Sequence, residues 1–177
     1  AQSLRRTKGH GFPGKIRVVK FDGHYYGAIL RIPHWPSLPF DRMIANGGFN
    51  IRKTGTPWKP QADAAILAIT RRCRFRCRHC YEYPNLAEEE SVPIERWKEV
   101  LREIQKIGTS IVVFSGGEPL LRYEGLVELL QSGDKTHSDF HVHTSGDGLT
   151  FERALTLKSA GLIAAGVSLD DFDPARQ

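Results

Sequence analysis

From Ala64 onward, short apolar runs alternate with amphipathic stretches, and that alternation restricts the fold more than any other feature of the chain. Such a pattern signals repeated βα units around a parallel sheet. Strands are expected at residues 64–70, 111–114, 140–144 and 165–169. Between the first two, Ile94, Trp97, Leu101, Ile104 and Ile107 recur at helical spacing, with Pro93 suited to a first turn and Gly108 to the end. Two further helices are expected over residues 123–131 and 151–160. The fold class is therefore α/β, and no repeat or low-complexity segment interrupts it.

The preceding residues read differently. Gly9, Gly11, Pro13 and Gly14 sit among Arg5, Arg6 and Lys8 in a composition that favours a mobile arm. Residues 16–21 and 25–32 are rich in β-branched and aromatic side chains and flank Asp22-Gly23, which predicts a β-hairpin. Pro33, Pro36 and Pro39 end it, and turn signals surround a short helix and strand within 41–62. Residues 1–62 carry eleven Lys/Arg against Asp22 and Asp41, whereas 63–177 carry fourteen against eighteen acids. The expected division is thus a basic N-terminal extension, 1–62, and an α/β core, 63–177. A basic extension can bind nucleic acid or an acidic surface, although most such charge is simply solvated.

The chain has three cysteines, Cys73, Cys77 and Cys80, in one CxxxCxxC loop directly after the first core strand. An odd count without a secretory segment disfavours disulfides and makes a reducing, cytoplasmic setting the expectation. No run approaches the roughly 18 apolar residues of a membrane span. A cubane iron-sulfur cluster normally takes four thiolates, so this loop would leave one iron without a protein ligand. The competing reading is zinc, with His79, His10 or another histidine as fourth ligand. Zinc sites usually present a second ligand pair, which is lacking here.

The loop does not stand alone. Ser115-Gly-Gly-Glu-Pro119 follows the second strand, Thr144-Ser-Gly146 the third, and Gly166-Val-Ser-Leu-Asp170 lies at the fourth. With the cysteines, this order and spacing resembles the radical S-adenosylmethionine (SAM) superfamily, and CRHCY with SGGEPLLR resembles its peptide-modifying and cofactor-building members. The resemblance implies a (βα)6 barrel. Four of its strands are present, so a partial barrel, truncated after the fourth strand, is expected.

It also implies a 4Fe-4S cluster on Cys73, Cys77 and Cys80, with SAM chelating the open iron. The reduced cluster would cleave SAM to a 5′-deoxyadenosyl radical that abstracts hydrogen from a peptide or cofactor precursor. Ligands of parallel αβ folds bind at the C-terminal strand ends, where all four motifs fall. Gly116 and Gly117 would let the backbone approach the methionine amino group, with the Glu118 carboxylate as a further acceptor. His79 takes a position that is usually aromatic and near adenine. Thr144, Ser168 and Asp170 offer partners for ribose or the methionine carboxylate, and each could equally cap a strand end.

Arg71, Arg72, Arg74, Arg76 and Arg78 crowd the cysteines, where cations favour thiolate and would attract an acidic electron donor such as flavodoxin or ferredoxin. His137, His141 and His143 have no carboxylate or cysteine at clear ligand spacing and read as structural. The alternatives are an RNA-modifying enzyme of the same superfamily, suggested by the basic extension, and a non-catalytic zinc or iron-sulfur binding module.

Overall fold

The computed structural model describes residues 18–21, 24–27, 32–45 and 62–170. The chain divides into two units, Ala1–Leu30 and Arg31–Gln177. In the first, strands β1 (Val18–Phe21) and β2 (His24–Gly27) pair antiparallel in a register that sets Phe21 opposite His24. The Asp22-Gly23 turn and the arm before residue 18 lie outside the described residues, as does the strand expected before residue 62.

The second unit begins at Arg31 rather than at the expected boundary near residue 62. Helix α1 (Leu38–Ala45) belongs to it and buries Pro39 and Met43. The segment before α1 is tied to the sheet, because His34 donates its backbone N–H to Asp139 and sets Nδ1 2.8 Å from the same carboxylate.

The sheet runs β3 (Ala64–Thr70), β4 (Ile111–Gly116), β5 (Asp139–Thr144), β6 (Leu162–Val167), in that spatial order and all parallel. Helices α2 (Ile94–Lys106), α3 (Tyr123–Ser132) and α4 (Phe151–Ala160) connect consecutive strands. Four parallel strands with intervening helices match the expected partial barrel. Pro93 caps α2 from outside the helix instead of occupying its first turn.

Strand β6 starts three positions before the predicted 165 and ends at Val167. Gly161, at φ 111°, closes α4 in the left-handed region that favours glycine, and the chain enters the strand at the next residue.

Side-chain alternation sorts the sheet into two faces. Leu67, Ile69, Val112, Phe114, Phe140 and Val142 join Leu101, Leu126, Leu129, Leu130 and Leu157 from the helices in one core. Phe114 and Phe140 are fully buried and stack at 5.9 Å between ring centroids. Burial of a side chain of that size contributes about 1.5–3 kcal/mol. The alternating positions, Ile66, Val113, His141 and His143 among them, face away from the helices. No helix among the described residues is long and apolar enough to cross a membrane.

Candidate functional site

All four motif loops leave the sheet at the C-terminal ends of their strands. The cysteine loop is fixed at both ends and open in the middle. Behind it, Thr70 Oγ1 donates to Glu90 at 2.6 Å, and Arg122 donates to the carbonyls of Ile69 at 2.6 Å and Val92 at 2.8 Å, shoring up the end of β3. Ala87 N–H closes the loop onto Arg71 O at 3.1 Å. Cys77 is exposed, Cys73 and Cys80 are half-buried, and all three thiols are free. Arg76 folds back to donate to Cys73 O at 2.7 Å, and Cys80 N–H donates to Cys77 O at 3.1 Å.

Burial pushes the Cys73 thiol up, opposed by a hydrogen bond from the Phe75 backbone, and the negative charges of Glu118, Cys77 and Cys80 push it up further. Cys77 and Cys80 therefore lie close enough for their charge to reach Cys73. Among the described residues no three His, Cys, Asp or Glu side chains converge closely enough to hold a single ion. The donor set nevertheless fits a cluster: three free soft ligands in one loop that is exposed between two tethers.

Gly116 and Gly117 lie against the start of the cysteine loop. Gly116 adopts φ 130°, and a Cβ there would lie 2.2 Å from Thr70 O; a Cβ on Gly117 would lie 2.2 Å from Arg72 O. The backbone that approaches so closely is the start of the cysteine loop. Gly117 N–H donates to Thr70 O at 2.9 Å and Glu118 N–H to Arg72 O at 2.7 Å. The two glycines thus dock one rim loop onto the residues that lead into Cys73.

The Glu118 carboxylate, read from the sequence as a ligand acceptor, turns inward among protein donors. It is buried, at 2% exposure, and its oxygens are already engaged. Oε1 accepts from Leu120 N–H at 3.0 Å and Thr144 Oγ1 at 2.6 Å, while Oε2 accepts from the N–H and Oγ of Ser145 at 2.8 and 2.6 Å. Four donors fill the roughly four lone-pair positions of a carboxylate. In this arrangement Glu118 clasps the loop after β5, and Thr144 is buried as part of that clasp.

Ser145 was not singled out by sequence reasoning, which stopped at the neighbouring Thr144. From Ser145 the connection continues: its Oγ accepts from Asp147 N–H at 3.2 Å, and Asp147 pairs with Arg74 at 3.1 Å, the residue after Cys73. His79 and Asp170 also meet, Nε2 to Oδ2 at 3.5 Å, joining the loops of the two edge strands. Ser168 donates its backbone N–H to Thr144 O, with its side chain exposed. His137 pairs instead with Asp134 in the loop before β5, away from His141 and His143.

A family model described as the radical SAM superfamily matches residues 67–177. The chain belongs to that superfamily. Among curated proteins, it is 34% identical over 111 residues to a PqqA peptide cyclase of Streptomyces rochei, covering 62% of this chain and 30% of the relative. It is 32% identical over 113 residues to an Fe-coproporphyrin III synthase of Methanosarcina barkeri, covering 63% and 28%, respectively. A GTP 3',8-cyclase of Peptoclostridium acidaminophilum is 31% identical over 114 residues, covering 62% and 35%. The chain spans about a third of the length of these relatives. As a radical SAM chain it places all the matched motifs in the second structural unit.

Proposed function

We propose that this chain carries the cluster- and SAM-binding part of a radical SAM enzyme acting on a peptide or a small-molecule cofactor precursor. The observation that supports the reading is the docking of Gly116-Gly117-Glu118 onto the residues leading into Cys73, which sets these two loops side by side. Cys73, Cys77 and Cys80 would hold three irons of a 4Fe-4S cluster, leaving the fourth for SAM. The bound pair supplies reductive SAM cleavage and hydrogen abstraction.

The protein's own part is coordination and orientation. The glycines bring the loop against the cysteine segment without a side chain between them, and the Glu118 clasp holds the β5 loop beside it. His79, Ser168 and Asp170 keep exposed side chains on the same rim for SAM. Exposed Arg74, Arg76 and Arg78 suit an acidic electron donor such as flavodoxin or ferredoxin, because opposite potentials steer encounter. Three unpaired thiols suit a reducing, cytoplasmic compartment. The names of the relatives, peptide cyclase, porphyrin synthase and nucleotide cyclase, support a peptide or small-molecule substrate over RNA.

The test is electron paramagnetic resonance of the anaerobically reconstituted, reduced chain with and without SAM, beside Cys77→Ala. A cluster signal that changes on adding SAM and disappears in the variant is expected. Zinc in place of iron, or a four-iron cluster retained by Cys77→Ala, would overturn the assignment.

A further inference from the structure

On β5, Asp139, His141 and His143 face away from the helices, alternating with Phe140, Val142 and Thr144. Asp139 is already engaged, since His34 Nδ1 lies 2.8 and 3.0 Å from its two oxygens. The two histidines are not. His141 is buried, at 4% exposure, and its Nδ1 has no hydrogen-bond partner among the described residues. His143 Nε2 is likewise buried and unpartnered among them.

Their cross-strand neighbours are apolar. His141 sits in register between Val113 on β4 and Ala164 on β6, and His143 lies beside Gly166. A Cβ at Gly166 would come 3.0 Å from His143 Cδ2, so the absent side chain leaves room for the imidazole. Burial makes His141 a poor proton acceptor; Asp139 pulls the other way, and His143 and His34 add to the effect of burial. The Asp139 carboxylate on this face is thus taken up by His34, leaving the two β5 imidazoles without it as a hydrogen-bond partner.

We propose that His141 and His143 form an anion subsite on this face of the sheet, taking a carboxylate or phosphate group of the substrate. The substrate assignment rests on the radical SAM reading above. An anion accepting hydrogen bonds from the imidazoles favours their protonated form, so binding is coupled to proton uptake. The titratable groups facing the pair among the described residues are Asp139 and His34. Binding therefore strengthens on acidification from neutral pH.

The experiment is imidazole NMR on the full chain, titrated with acetate, with inorganic phosphate, and with acetamide as the uncharged analogue of acetate. The His141 and His143 signals are expected to move together with acetate or phosphate, and acetamide is expected to leave them in place. A response to one anion and not the other assigns the group. His143→Gln, at the less buried position, should weaken binding by roughly tenfold, the loss of one charge-assisted hydrogen bond. Unmoved signals with both anions, or equal movement with acetamide, would overturn the subsite. The titration needs neither cluster nor SAM. A negative result with a SAM-dependent paramagnetic signal removes the subsite alone, and anion binding without that signal removes the radical chemistry alone.

Discussion

Ser145 gives Glu118 two hydrogen bonds to the same oxygen, one from its backbone N–H at 2.8 Å and one from its hydroxyl at 2.6 Å. A loop glutamate that would ordinarily face water is thereby turned inward as the joint between the loops after β4 and β5. Replacing Glu118 with Gln keeps the shape but gives one arm two donors where donors already converge. Hydrogen bonds to a buried charge contribute about 1.5–3 kcal/mol each, and an unmatched buried donor costs a similar amount. Glu118→Gln is expected to lose roughly 2–3 kcal/mol of stability, read as a lower urea midpoint with an unchanged slope. A midpoint equal to the parent's would mean the clasp does not persist in solution.

Gly117→Ala tests the docking of the rim onto the cysteine loop. Its new methyl would meet Arg72 O at 2.2 Å and Arg72 C at 2.7 Å, and both are backbone atoms that a rotamer change cannot move aside. The loop leading into Cys73 must shift. The variant is therefore expected to lose iron, measured per chain after anaerobic reconstitution, together with SAM affinity. Full iron loading with only SAM binding weakened would show that the glycine serves the ligand rather than the cysteine loop.

What the sequence made legible follows from which signals are local. Strand β3 and helix α4 fall at the expected residues because apolar periodicity and a closing Gly161 are read within one element. Strand β6 was displaced because Leu162-Ile-Ala-Ala-Gly-Val167 opens with no turn residue after Gly161, so its start is set by pairing with β5. The position of the cysteine loop directly after β3 was legible from the strand pattern. The burial of Glu118 was not, since its four donors come from Leu120, Thr144 and Ser145, and the last two are brought near only by the parallel pairing of β4 with β5. Nor could spacing show that the two glycines face Thr70 and Arg72.

His79 and Asp170 contrast with the clasp. Their side chains are 68% and 50% exposed and 3.5 Å apart, and an ion pair so open to solvent contributes about 0–1 kcal/mol. Asp170→Asn should accordingly leave the thermal midpoint almost unchanged. If the rim carries SAM as proposed, the same variant lowers SAM affinity with the cluster intact, measured by equilibrium binding to the reconstituted chain. A large loss of stability would instead make Asp170 a structural tie between the edge-strand loops.

The buried His141 makes stability depend on pH, and the sign follows from its lowered proton affinity. In the unfolded chain it titrates near 6.5, as a free histidine does, whereas burial, reinforced by His143 and His34, holds the folded value below that. Above the unfolded value both states are neutral at this group and it adds no pH dependence. As pH falls through about 6.5 the unfolded chain takes up the proton first, so stability declines until the folded value is reached, at a slope of up to about 1.4 kcal/mol per pH unit. Urea denaturation between about pH 5 and pH 8 should show this slope in the parent and a shallower one in His141→Leu, where no proton can bind. Equal slopes in the two proteins would place the acid sensitivity in another group and leave His141 without electrostatic consequence for folding. Acetate offers a further check on the same group. An anion held by the imidazole pair stabilises its protonated form in the folded state, and should flatten the parent's slope without altering that of the leucine variant.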